Sequence, residues 1–125
     1  MPEKIMLGQQ ITASFEECSA DTLIDGDRLL VLMRQVVDLL GFEEVSHQCH
    51  PFTPRGTTCV LVLAQSHLIA HTWPEYRSLV IDLFACGDFC FQPVAEFIQK
   101  TVNAKSVSLE KRPREIHVAH SPTSI

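Results

Sequence analysis

The chain has 125 residues, the size of one ordinary domain with enough volume for a buried core. Hydrophobic residues make up 46% of it and charged residues 20%, which excludes intrinsic disorder as a description of the whole chain. The net charge is −5, and no stretch approaches the roughly 20 apolar residues of a membrane span. We therefore expect a soluble, cytoplasmic protein that binds neither nucleic acid nor membrane.

The chain contains an odd number of cysteines, namely Cys18, Cys49, Cys59, Cys86 and Cys90. Cytoplasmic thiols stay reduced, so we expect no disulfide framework. Most of these side chains should behave as small buried hydrophobes, and at least one of them could be reactive.

The N-terminal third predicts a strand followed by a helix. Residues 5–15 alternate loosely between apolar and polar side chains, as in a strand. Asp25 then offers N-cap chemistry, apolar residues recur at three- and four-residue spacing over residues 29–40, and Gly41 ends the run. These signals together indicate an amphipathic helix.

The middle of the chain predicts mainly strands. Residues 42–45 indicate a short strand, and the prolines and glycine around Phe52 indicate a loop. Residues 57–64 form a continuous apolar run, typical of a strand covered on both faces. Residues 66–72 and 78–85 predict two further strands.

The last third predicts a second helix starting at Gln92-Pro93, with Val94, Phe97, Ile98 and Val102 facing inward. An edge strand follows, at residues 106–109 or 115–118, before a polar tail, residues 120–125, that should fray. The element order predicts one α+β domain over residues 1–119, a two-layer sandwich of a mainly antiparallel sheet with helices on one face. We expect the other face to pack against a second protomer in a homodimer.

Reactive and polar residues crowd into two short segments, 65–75 and 82–88, which are otherwise apolar strand. They include Ser66, His71 and Cys86. Polar groups among buried strands must find partners or cost free energy, so such a cluster indicates a site.

Two common kinds of site fit this cluster poorly. His67 and His71 have the i,i+4 spacing of the two histidines on a metalloprotease helix, but no Glu follows His67 and the segment predicts a strand. Cys86 and Cys90 have the spacing of no standard zinc knuckle, so we expect no metal site. Ser66 lacks the G-x-S-x-G turn that exposes the nucleophile of a hydrolase.

A third reaction suits Ser66 better. Its hydroxyl can attack the carbonyl of its own preceding peptide bond, and elimination then splits the chain and leaves a ketone, a pyruvoyl group, at the new N-terminus. A histidine such as His71 can act as the base. The two residues are five apart, so an ideal strand would place them on opposite faces, and the chain must turn or bulge at Ser66 for them to meet.

The segment from Gly56 to Asp88 resembles the core of the bacterial and archaeal S-adenosylmethionine decarboxylases. Their signature runs approximately Glu-Ser-His-x-x-x-His-Thr-Trp-Pro-Glu and then Asp-x-x-x-Cys-Gly. This chain has Gln-Ser-His-x-x-x-His-Thr-Trp-Pro-Glu at residues 65–75 and Asp-x-x-x-Cys-Gly at residues 82–87. The resemblance implies a self-cleaving, pyruvoyl-dependent enzyme that decarboxylates S-adenosylmethionine for the synthesis of spermidine and other polyamines.

The resemblance also assigns the reacting residues. Cleavage would fall between Gln65 and Ser66, and Ser66 would become the pyruvoyl cofactor, so that no diffusible cofactor is needed. His71 would be the acid/base of self-cleavage, and Cys86 would donate a proton to the substrate carbon after CO₂ leaves. Thr58 stands where the family usually has a serine that assists processing.

The substrate-binding residues follow in the same way. Phe52 would stack on one side of the adenine, with His71 close to the other side. Trp73 would shape the pocket, and Glu75 would accept hydrogen bonds from the ribose hydroxyls. The substrate's amino group would form a Schiff base with the pyruvoyl ketone.

The chain departs from the family at Gln65, where a glutamate is usual. The side chain of this residue is not the electrophile, so the acyl shift remains chemically possible, but loss of the carboxylate removes a charge beside the scissile bond and could slow or abolish cleavage. Two alternative functions therefore stay open: a pyruvoyl-dependent ornithine or arginine decarboxylase, and an uncleaved relative that binds a nucleoside without catalysis.

Overall fold

The computed structural model describes residues 3–119. The six strands are β1 (Glu3–Glu16), β2 (Glu44–Pro51), β3 (Thr57–Leu63), β4 (Ser66–Trp73), β5 (Ser78–Ala85) and β6 (Ser106–Val118). The two α-helices are α1 (Gly26–Leu40) and α2 (Gln92–Val102), and short 3₁₀ turns lie at Ala20–Thr22 and Pro74–Tyr76.

The strands form one sheet in the order β2-β3-β4-β5-β1-β6, and every neighbouring pair is antiparallel. Alternate residues of β1, β3, β4 and β5 are buried in one core together with the inner faces of α1 and α2. Because side chains alternate between the faces of a strand, both helices cover the same face of the sheet. The predicted α+β architecture, with helices on one face, is confirmed.

The caps predicted for α1 are present. The Asp25 side chain accepts a hydrogen bond from the Asp27 N–H at 2.8 Å, and Gly41 ends the helix in the left-handed region at φ 75°. In α2, Val94, Ile98 and Val102 are buried as predicted, and Phe97 is half-buried and packs against the core. Local sequence signals therefore define the start and end of α1 correctly.

Three strand predictions need correction. β2 runs over Glu44–Pro51 rather than 42–45, because pairing with β3 extends it to the loop. Within one chain only one face of β3 is covered: on the other face Val60 is half-buried and the Val62 side chain is 44% exposed. The two candidate C-terminal edge strands are parts of one strand, β6, which pairs with β1 along almost its whole length. The predicted polar tail, 120–125, lies outside the described residues.

The expectation of reduced cysteines is wrong for one pair. Cys49 and Cys59 form a disulfide, and they are directly opposed in the β2–β3 register with their Cα atoms 4.1 Å apart. That pairing depends on the register, which spacing alone does not reveal. Of the free cysteines, Cys18 is buried, Cys86 is half-buried and Cys90 is exposed, and burial raises the pKa of the Cys18 thiol.

The face of the sheet opposite the helices, here called the open face, carries a mixed set of apolar and polar side chains. Its central residues are Thr58, Val60, Val62, His67, Ile69, His71, Val80, Asp82 and Phe84. Nearly all are half-buried rather than covered. In the part of the chain that the structure describes, no helix is long and apolar enough to cross a membrane.

Candidate active site

Ser66 follows a tight turn. β3 and β4 are joined through Ala64 and Gln65 alone, and Gln65 adopts φ 62°. A residue with a side chain pays a conformational cost in this left-handed region. The strained residue therefore immediately precedes the Gln65–Ser66 peptide bond, and Ser66 is half-buried at the start of β4. The turn lies just before Ser66 and not at Ser66 itself, where the sequence predicts it.

The Cys86 thiol lies at the same end of β4. Its Sγ donates a hydrogen bond to the main-chain oxygen of Gln65 at 3.4 Å. That oxygen belongs to the Gln65–Ser66 peptide bond, so the thiol contacts the bond that the sequence predicts to be cut. The site thus unites a strained turn, a serine hydroxyl and a donor to the carbonyl that the hydroxyl would attack.

Gly8 helps to set the position of Cys86. A Cβ atom on Gly8 would lie 2.5 Å from the main-chain oxygen of Ala85, the residue before Cys86. Only glycine therefore lets β1 lie this close to the end of β5. The sequence alone does not reveal this role, because a glycine inside a predicted strand indicates a close approach only when the neighbouring strand is known.

Thr58 and His71 form a second group at the opposite end of β4. They are directly opposed in the β3–β4 register, and Thr58 Oγ1 and His71 Nδ1 share a hydrogen bond at 2.8 Å. This bond orients the imidazole ring through Nδ1, so that Nε2 is the ring nitrogen that can exchange a proton with another group. The His71 ring also lies 5.7 Å from the ring of Trp73.

A cavity of about 290 Å³ opens beside this second group. Its lining includes Phe52, Arg55, Thr58, His71, Trp73 and Glu75. The four residues predicted to bind substrate thus line one cavity together with Thr58. A larger groove of about 660 Å³ runs beside α2 and contains none of the predicted site residues.

One chain does not bring Ser66 and His71 together. They occupy opposite ends of β4, about 16 Å apart at about 3.3 Å per residue, and alternation places His71 on the open face and Ser66 on the helix side. The predicted site residues therefore fall into two groups, named here after the roles predicted for them: the cleavage half-site (Gln65, Ser66 and Cys86) and the binding half-site (Phe52, Thr58, His71, Trp73 and Glu75).

The remaining candidates lie apart from both half-sites. The His67 ring lies 6.1 Å from the Phe84 ring on the open face, and Cys90 is exposed in the segment before α2. Among residues 3–119, no three His, Cys, Asp or Glu side chains come together as ligands for a metal ion.

Arg55 is the cavity residue that sequence analysis missed. It lies in the loop between Phe52 and Gly56 and lines the same cavity as Glu75. Its place in a loop marked by two prolines and a glycine is the signal that could have indicated it, because binding residues concentrate on such loops.

These features define a class of protein: an α+β fold whose serine turn suits chemistry on its own backbone and whose aromatic cavity suits a small planar ligand. Residues 9–115 match the model of the S-adenosylmethionine decarboxylase family. The chain belongs to that family, which confirms the resemblance predicted from its motif.

Named relatives agree with this membership. The chain is 36% identical over 109 residues to the S-adenosylmethionine decarboxylase proenzyme of Thermotoga maritima, covering 86% of this chain and 84% of the relative. It is 34% identical over 110 residues to the proenzyme of Acidithiobacillus ferrooxidans, covering 86% and 82%. The crystal structure of the adenosylmethionine decarboxylase of Aquifex aeolicus superposes with a TM-score of 0.81 at 27% identity, covering 94% of this chain and 98% of that one.

Proposed function

We propose that the chain is a self-cleaving, pyruvoyl-dependent decarboxylase of S-adenosylmethionine that acts in polyamine synthesis as a homodimer. The observation that carries the proposal is the Cys86 thiol 3.4 Å from the Gln65 carbonyl oxygen, at a strained turn directly before Ser66. Family membership supports the choice of substrate.

The first step of cleavage suits this geometry. Ser66 Oγ adds to the Gln65 carbonyl carbon, and the bond from that carbon to the Ser66 nitrogen breaks, so that the amide becomes an ester. Negative charge develops on the Gln65 oxygen during the addition. The Cys86 thiol already donates to that oxygen and therefore stabilises the charge. Gln65 itself contributes only main-chain atoms, so its side-chain amide does not prevent this step.

The second step needs a base. Removal of the Ser66 α-proton breaks the Ser66 Cβ–Oγ bond and frees Gln65 as a carboxylate. Water then replaces the Ser66 nitrogen, which leaves as ammonia, and the fragment that starts at residue 66 now begins with a ketone, the pyruvoyl group. We assign the base to a histidine because imidazole exchanges protons near neutral pH. The predicted base, His71, is out of reach within the same chain, so we place it on a second copy.

A homodimer brings the two half-sites together. If two open faces pack on each other, with the two-fold axis between them running across the strands, the partner's His71 lies over the Ser66 end of β4. Ser66 must then turn out of the alternation of β4, towards the open face, for the two side chains to meet. The exposed apolar surface supports such packing, because Val62 and Trp73 on that face are 44% and 42% exposed. Each dimer would then contain two composite sites.

The residues of the two half-sites suit binding and decarboxylation of the substrate as well as self-cleavage. A pyruvoyl group supplies a ketone that binds the substrate's amino group and accepts the electron pair released as CO₂ leaves. The cavity has a volume suited to a nucleoside. Phe52 and His71 offer rings for the adenine, Trp73 closes one wall, and the Glu75 carboxylate accepts from the ribose hydroxyls. Cys86 then gives a proton to the substrate carbon.

The proposal is tested by intact-mass spectrometry of the purified protein together with CO₂ release. We expect fragments 1–65 and 66–125, the second beginning with pyruvoyl, and CO₂ from S-adenosylmethionine but not from ornithine or arginine. Release from ornithine or arginine alone would show a relative with another substrate. An uncut chain that S-adenosylmethionine stabilises against heat without CO₂ release would show a non-catalytic binding protein.

The Cys86→Ala substitution should slow self-cleavage by about tenfold or more, since it removes one donor to the developing oxyanion and a thiol is a weaker donor than an N–H group. The fraction that is cleaved should then release CO₂ slowly, because the proton donor is missing. The measurement is the rate of fragment appearance, followed by turnover per cleaved chain.

Cys90→Ala is the matched control, because Cys90 is an exposed cysteine four residues away, and it should leave both rates unchanged. Cys86→Ser keeps a donor to the Gln65 oxygen and should cleave faster than Cys86→Ala. Equal cleavage rates in wild type and Cys86→Ala would remove Cys86 from the cleavage step.

A further inference from the structure

His50 lies on β2, one strand beyond the Thr58–His71 pair. The register places it directly opposite Thr58, which is itself opposite His71. Directly opposed residues of antiparallel strands point to the same face. The three side chains therefore form one row on the open face, and His50 is the member with no part in the chemistry above.

The His50 ring contacts the ring of Phe52. Their centroids are 4.8 Å apart and their planes are inclined at 62°, the edge-to-face arrangement that aromatic pairs prefer. The Phe52 side chain is 52% exposed. The main-chain N–H of Phe52 donates a hydrogen bond to the main-chain oxygen of Gly56 at 2.8 Å, which closes the loop. The main chain at Phe52 is thus held by the loop, while the ring is held from the side by His50.

We infer that His50 is a positioning residue that holds the Phe52 ring in the orientation in which its free face stacks on the adenine. The inference rests on the proposed function, in which Phe52 binds the base. A half-exposed ring without this contact samples more rotamers and must be ordered when the ligand binds, which weakens binding. His50 touches no reacting atom, so the loss should appear in KM and not in kcat or in self-cleavage.

The test uses the single tryptophan of the chain as its probe. Trp73 lines the same cavity as Phe52, so its fluorescence can follow titration with S-adenosylmethionine and with adenosine. We expect His50→Ala to weaken both affinities roughly two- to tenfold, the range of a single aromatic pair, and to raise KM by the same factor at unchanged kcat. His50→Phe restores the ring contact and should restore the affinity.

His47→Ala is the matched control, a histidine on the same strand that faces the Arg34–Glu44 ion pair instead. Unchanged affinity in His50→Ala overturns the inference, as does a loss that His50→Phe fails to restore or that His47→Ala reproduces. A wild type that binds adenosine but is neither cut nor active contradicts the proposed function. The adenosine affinities of the wild type and the His50 variants would still decide the role of His50. A wild type that binds no nucleoside overturns the inference.

Discussion

A chain carrying Ser66→Ala should stay in one piece and release no CO₂ from S-adenosylmethionine. The hydroxyl is the group that attacks the Gln65 carbonyl, and the serine carbon atoms become the ketone, so the loss should be complete rather than partial. Intact-mass spectrometry over several days at neutral pH, with a parallel CO₂ assay, measures both effects.

The same variant should still bind the nucleoside. Its substitution leaves the cavity around Trp73 unchanged, so fluorescence titration with adenosine should match the wild type and show that the chain is folded. Ser106→Ala, an exposed serine at the start of β6, is the matched control and should be cleaved normally. Fragments ending at residue 65 from the Ser66→Ala chain would contradict the assignment of Ser66.

Local signals in the sequence were sufficient to predict the bounds of elements whose ends depend on the residues at those ends. The start of α1 is fixed by the Asp25 cap and its end by Gly41, and both are chemical properties of single residues. β5 has the predicted bounds of Ser78–Ala85, because turn-forming or loop segments flank a clear apolar run. Such elements can be predicted without knowledge of their neighbours.

Elements defined by pairing could not be predicted to the same degree. β2 extends to Pro51 because β3 lies beside it, and the Cys49–Cys59 disulfide exists because the register opposes the two residues. Register depends on contacts between segments distant in sequence, which no local pattern records. The exposure of Val62 has the same origin, since an apolar run does not tell which face the helices cover.

The site divides in a similar way. Its residue types lie in contiguous motifs, so Ser66, His71 and Cys86 could be named from the sequence. Their separation into a cleavage half-site and a binding half-site follows from the direction of β4 and from the position of Cys86 after β5, which only the sheet order provides. The cleavage reaction needs a histidine beside Ser66, and in our proposal that histidine belongs to the partner chain.

Co-expression of a Ser66→Ala chain with a His71→Ala chain should restore cleavage that neither shows alone. In a mixed dimer, one composite site combines the intact Ser66 of the His71→Ala chain with the partner's His71, and the other site lacks both groups. Only His71→Ala chains should be cut. With equal amounts of the two chains and random pairing, about half of the His71→Ala chains lie in mixed dimers and should be cut. Mass spectrometry identifies the cut chain, because its fragment 66–125 carries the substitution.

The pairing of Ser66→Ala with Cys86→Ala provides the control, since both substitutions fall in the cleavage half-site and no mixed dimer contains an intact one. That mixture should cleave no faster than Cys86→Ala alone. Absence of cleavage in the first mixture, with mixed dimers demonstrated by co-purification through a tag on one chain, would contradict the composite site and require a base for Ser66 within its own chain. Restoration in the first mixture but not in the second would locate the base on the partner, because the two experiments differ only in which half-site the second substitution disables.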